Sequence, residues 1–137
     1  METPRFLTLA EVLSILQDQT TRYGGEFGVR DLGLVSSAIA VPQASFGGQP
    51  LHGDLFGMAA AYAFHLCQNH PFVDGNKRVA LASALVFLDL NGIRITDPEG
   101  TLYPLMMAVA RGEKGKSEIA YTLRELSEPR NTSRNAP

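Results

Sequence analysis

Between two apolar segments the chain runs His70-Pro71-Phe72-Val73-Asp74-Gly75-Asn76-Lys77-Arg78, which sets a base, an aromatic, a carboxylate, a glycine, an amide and two cations in a row. Val79 to Leu90 reads as a helix, so Asn76, Lys77 and Arg78 fall in its first turn. There the backbone N–H groups lack intrahelical partners and the positive end of the helix dipole points outward. A cation at that end costs on the order of 0.3–1 kcal/mol. A bound polyanion reverses the sign, and Gly75 lets the backbone approach its phosphate oxygens closely. Asp74 beside a phosphate is repelled unless it holds Mg²⁺, which takes one or two protein carboxylates and completes its shell with phosphate oxygens and water. His70 is left as the base, imidazole being the side chain that most often accepts a proton near neutral pH. Read singly, these residues have ordinary roles: Asp74 or Asn76 caps the helix, Asp-Gly-Asn forms a turn, and a loop histidine is polar surface. Their order points to phosphate chemistry.

The same string resembles the Fic/Doc superfamily, whose general motif is H-x-F-x-(D/E)-G-N-G-R-x-x-R, and most closely its Doc (death-on-curing) branch, whose version ends in N-K-R. The resemblance extends through Gly28-Val29-Arg30-Asp31 and Phe46-Gly47-Gly48 to the segments after the motif, covering most of Leu7 to Leu126. Lys77 stands where Fic enzymes carry their second glycine, and Leu81 where they carry their second arginine. In the Fic branch those positions help hold a nucleotide for transfer of AMP. Doc members have the lysine and move the γ-phosphate of ATP to a threonine of elongation factor Tu, with the nucleotide bound in the reverse sense. A lysine fills space that glycine leaves open for one phosphate and offers a point charge to another.

The resemblance thus implies His70 as the catalytic base, Phe72 as a core anchor for the loop, Asp74 as the Mg²⁺ ligand, and Gly75, Asn76, Lys77 and Arg78 as the cradle for the phosphates of ATP. It implies the toxin of a type II toxin–antitoxin system that arrests translation. The inhibitory string of self-controlled Fic enzymes, (S/T)-x-x-x-E-(G/N), has no match, since Thr96-Asp97-Pro98-Glu99-Gly100 comes one residue short. Inhibition by a Phd-like antitoxin follows, an amphipathic helix of the partner lying in an apolar groove. Two alternatives stay open: transfer of AMP or another nucleotidyl group to a protein hydroxyl, and an inactive helical module that only binds a phosphorylated ligand.

With 137 residues, 45% of them hydrophobic, the chain can bury one real core, and a single domain over residues 1–127 is expected. The net charge of −2 is spread along the chain and the lysines are Lys77, Lys114 and Lys116, so no basic face marks nucleic acid as a partner. Cys67 stands alone in an apolar helical pattern, which rules out an internal disulfide and suits a reducing cytoplasm. Arg5 is followed by no apolar stretch of signal length, and Val79 to Leu90 is too short to span a bilayer, so neither export nor membrane insertion is expected.

The elements that must position the motif read as helices almost throughout. Thr8 and Glu11 form a capping-box string, Val12, Leu13, Ile15 and Leu16 follow at helical spacing, and Gly24-Gly25 stops the segment. Asp31 caps a second helix carrying Leu34, Val35, Ala38 and Ile39, which Pro42 ends. Ala44 to Gly53, with Phe46 and His52, reads either as a mobile flap over a site that docks the target or as an ordinary interhelical connection, and His52 has no assigned role. Asp54 opens a long helix to about Asn69, in which His65 reads as a satisfied core or interface residue. The helix after the motif should be buried on nearly all sides and end at Asn91-Gly92. Asp97-Pro98 then starts a helix with Leu102, Leu105, Met106 and Val109 as its apolar stripe and both methionines in the core. A last helix spans Ser117 to Leu126, and residues 128–137 read as a disordered polar tail. Strand-like alternation is too brief for a sheet, so the expected fold class is all-α: a compact bundle of about six helices, the motif loop joining two central antiparallel ones.

Overall fold

The computed structural model describes residues 3–128, and the expectation of a disordered tail falls outside the described residues but for Glu128. The chain folds as α1 (Leu9–Tyr23), α2 (Leu32–Ala40), a 3₁₀ turn (Val41–Gln43), β1 (Ser45–Phe46), β2 (Gln49–Pro50), α3 (Leu55–Asn69), α4 (Asn76–Leu90), α5 (Leu102–Ala110) and α6 (Lys116–Leu126). This is the expected all-α bundle, with one small addition. Residues 45–50 form an antiparallel hairpin in which Ser45 pairs with Pro50 and Phe46 with Gln49, where the sequence suggested no sheet. Gly47 and Gly48, both at positive φ, make the tight turn that two such short strands need.

α3 is the axis of the molecule and packs most extensively on α4, then on α6 and α2. It buries Ala59, Ala60, Ala61, Tyr62 and Ala63 completely, and its small side chains let the neighbouring backbones come close. Tyr62 extends across the core, tilted against Phe87 at 5.1 Å between ring centroids, and its hydroxyl accepts from the Leu7 backbone N–H at 2.8 Å. That bond ties the N-terminal segment to the middle of the bundle. Among the described residues no helix is long and apolar enough to cross a membrane.

Three local expectations are corrected. α4 is not buried all round: Val86, Asp89 and Leu90 are exposed, because α1, α3 and α5 cover its other sides and nothing packs on this one. The helix expected at Asp97-Pro98 begins at Leu102, and the Asp97 carboxylate instead accepts from the backbone N–H groups of Thr101 and Leu102 across a turn closed at Gly100. Asp97 thus caps from a distance, and Pro104 rather than Pro98 occupies the first turn, where a missing N–H costs nothing. Of the methionine pair, Met106 is buried and Met107 is exposed.

Candidate active site

α3 ends and α4 begins at the same end of the bundle, and the motif loop between them is held from beneath. Phe72 is fully buried. The Asn76 side chain clamps it, its Oδ1 accepting from the Phe72 N–H at 2.9 Å and its Nδ2 donating to the Phe72 carbonyl at 3.0 Å. Residues 28–31 run alongside: the Val73 N–H donates to the Gly28 carbonyl at 3.0 Å, and the Arg30 and Asp31 N–H groups both donate to the Pro71 carbonyl. The loop is therefore fixed by backbone bonds on one side and by a buried amide on the other.

On this support His70, Asp74, Gly75, Asn76, Lys77 and Arg78 all line one cleft of about 230 Å³. The expected base, carboxylate and cradle residues are all brought there, with Phe72 buried beneath them. His70 caps α3 in the left-handed conformation and is exposed. Gly75 caps α4 with φ 78, also left-handed, and supplies no side-chain acceptor. The contrast with the other helices is instructive. Thr8, Asp31 and Asp54 each accept a backbone N–H in the first turn of α1, α2 and α3, Asp97 does so for α5, and Glu118 closes on the Gly115 N–H at α6. α4 alone has neither hydroxyl nor carboxylate on its first turn, and it carries Lys77 and Arg78 there instead. This is an electropositive start open to an anion.

Each charged group has a distinct setting. The Asp74 Oδ2 accepts from the Glu26 N–H at 2.8 Å. Gly25 makes this possible, since a β-carbon there would stand 3.3 Å from that of Asp74. The outer face of the carboxylate stays open to the cleft. Arg78 lies over the Tyr23 ring at 5.5 Å and reaches the Gly24 carbonyl at 3.4 Å, while its Nε is buried without a partner among the described residues. An anion in the cleft is the kind of group that would satisfy it. The Asn76 side chain is committed to Phe72, so its backbone N–H is what it can offer a ligand. Cys67, one turn before the loop, is buried, which pushes its thiol up, while Lys77 nearby pulls it down.

Tyr103 of α5 also lines the cleft, and the sequence reading passed over it. Its one signal was an aromatic lying off the apolar stripe of Leu102, Leu105, Met106 and Val109. The other two histidines lie elsewhere: the Lys116 ammonium bonds to the Nε2 of His52 at 3.2 Å and of His65 at 3.0 Å. An ammonium only donates, so both imidazoles accept and are neutral. Burial, then the Lys116 charge, then His52 push the His65 pKa down to about 4, and burial with Lys116 lowers that of His52. His65 is thus the satisfied interface residue its helical context suggested.

Comparison with known proteins places the chain in a family. A sequence model of the Fic/DOC family matches residues 6–88, from the N-terminal segment through the motif to most of α4. The Toxin Doc of Mycolicibacterium smegmatis (strain ATCC 700084 / mc(2)155) is 43% identical over 81 residues, which are 59% of this chain and 62% of that protein. The Protein kinase doc of Escherichia phage P1 is 37% identical over 123 residues, covering 89% of this chain and 95% of that protein. The match to the mycobacterial protein thus spans less than two thirds of its length, whereas the phage protein aligns nearly end to end. With the motif loop, most of the two helices that flank it and the segment that braces it inside residues 6–88, and with the phage protein aligned over most of both chains, this chain belongs to the Fic/DOC family.

Proposed function

We propose that the chain is a Doc-type toxin that transfers the γ-phosphate of ATP to a protein hydroxyl, a threonine of elongation factor Tu being the expected acceptor, and so arrests translation. The observation that carries the reading is the uncapped, cationic start of α4 facing His70 and Asp74 across one cleft. Phosphoryl transfer needs mainly positioning and charge neutralisation, which suits a rigid helix start with one base. In this reading the backbone N–H groups of Gly75 to Arg78, with the Lys77 ammonium and the Arg78 guanidinium, bind and orient the polyphosphate. Lys77, where a nucleotidyl-transferring Fic site has glycine, favours transfer of the terminal phosphate over transfer of AMP, and the phage relative's name, Protein kinase doc, supports the same reading. His70 accepts the proton of the attacking hydroxyl as the oxygen–phosphorus bond forms, and the nucleoside diphosphate leaves. Asp74 is the hard oxygen donor that Mg²⁺ requires, and its outer face is open on the side of the phosphates. The metal, when bound, would neutralise charge on the phosphate oxygens.

The helical unit of residues 1–127 would do this in the cytoplasm, restrained by a Phd-like antitoxin whose amphipathic helix covers a groove beside the cleft. The test supplies purified protein and its His70→Ala variant with a cell lysate, Mg²⁺ and ATP labelled separately at the α and γ phosphates. Transfer of γ label alone, lost in the variant, is expected. Transfer of α label would replace the reading with nucleotidylation, and transfer of neither would leave a phosphate-binding module.

A further inference from the structure

His70 is the one non-glycine among the described residues with a left-handed backbone, at φ 49 and ψ 53. An L-residue with a β-carbon is strained there, and glycine would close α3 more cheaply. The strained geometry turns the imidazole off the end of the helix and onto the cleft wall. Something outside the helix must hold it, because nothing in α3 itself prefers it.

The structure shows what does. The Arg30 guanidinium donates from Nη2 to the carbonyl of His70, and the Arg30 backbone N–H donates to the next carbonyl, that of Pro71, at 2.7 Å. Both carbonyls that follow the imidazole-bearing carbon are therefore tied to one residue. Among the described residues Arg30 joins no salt bridge, and its side chain is exposed, so it adds neither core area nor an ion pair. An exposed arginine ordered against a backbone carbonyl gives up rotamer freedom for one bond. For stability alone this is a poor exchange, whereas for fixing the direction of one side chain it is a direct one.

We infer that Arg30 is a positioning residue for His70: its guanidinium holds the left-handed peptide that presents the imidazole to the acceptor hydroxyl. This rests on His70 being the base, and the test separates the two. Arg30→Ala and Arg30→Lys are assayed for γ-phosphate transfer with kcat and KM for Mg-ATP determined apart, and the histidine Cε1–H signals are followed by NMR. Displacement of a reacting group by about an ångström costs on the order of a hundredfold in rate. The expected result is a fall of about tenfold to a hundredfold in kcat for Arg30→Ala, with KM kept within about twofold. Arg30→Lys or added methylguanidinium should recover part of the loss. The NMR signal of His70 alone should shift or broaden in Arg30→Ala, with those of His52 and His65 unmoved, and this holds whether or not the protein turns over. An unchanged His70 signal, or a raised KM with kcat intact, would each overturn the inference. A shifted His70 signal with no transfer in the parent protein would leave Arg30 in place and remove the base role instead.

Discussion

At the scale of single residues, the cleft divides its polar groups into those spent on the loop and those free for a ligand. Asn76 is of the first kind. Asn76→Ala would strip the buried Phe72 N–H and carbonyl of their side-chain partner, at a cost of about 2–4 kcal/mol, seen as a lower urea midpoint with transfer lost in proportion to folding. Asp74 is of the second kind, and its replacement has a sign that packing would not give. Asp74→Asn should raise the Mg²⁺ concentration needed for half-maximal transfer by at least about tenfold, yet leave metal-free binding of tripolyphosphate unchanged or tighter, since a negative charge has been removed beside the anion. Titration calorimetry with and without Mg²⁺ checks both halves. The motif residues were legible because each carries its chemistry in its type. Their partners were not: Gly25, Glu26 and Arg30 lie more than a loop away in sequence, and no local pattern says that Gly25 makes room for Asp74.

At the scale of elements, the start of α3 is bound to the segment that follows the hairpin. Gly57 sits inside a helix, where alanine would ordinarily stabilise by about 1 kcal/mol. Here a β-carbon would lie 2.1 Å from the His52 carbonyl oxygen, a backbone atom that cannot move without its loop. Gly57→Ala is therefore expected to destabilise, by about 1–3 kcal/mol, and thermal denaturation reads the sign directly. His52 is also the loop's side of the clamp with Lys116 and His65. In the unfolded chain an imidazole titrates near 6.5, while folded His65 titrates at about 4 and folded His52 below its ordinary value. The unfolded state thus binds more protons as pH falls, so the clamp's contribution is complete above about 6.5 and declines from there toward about 4. The fall in urea midpoint between pH 7 and pH 5 should be smaller in His65→Gln than in the parent protein. Helix existence was legible throughout, through caps such as Thr8 with Glu11 and stripes such as Val12 and Leu16. The starts of elements were less so, as Asp97 shows: a residue that looks like a cap accepts from N–H groups beyond an intervening turn.

At the scale of the molecule, the cleft is rigid because α3 and α4 are locked by a core that also holds the N-terminal segment. Burial pushes the Tyr62 pKa up to about 12, so its hydroxyl stays protonated while accepting from the Leu7 N–H. Tyr62→Phe keeps the packing against Phe87 and removes only that acceptor. The buried N–H left alone should cost about 1–3 kcal/mol, measured by urea unfolding, with little change in KM, since the cleft lies at the start of α4 whereas the N-terminal segment bonds to its end, Arg5 to Asn91.

The sequence by itself determined that a base, a carboxylate and two cations gather at one helix start and that helices carry them, because capping, periodicity and charge at a helix start are local properties of the chain. It also carried the family resemblance. Tertiary structure decided what holds the site: the left-handed turn at His70, the grip of Arg30 on the carbonyls beyond it, the seat of Asp74 on the Glu26 N–H and the wall supplied by Tyr103. Each of these joins segments distant in sequence, and such bonds depend on where the folded core places two backbones relative to each other, which no local pattern encodes.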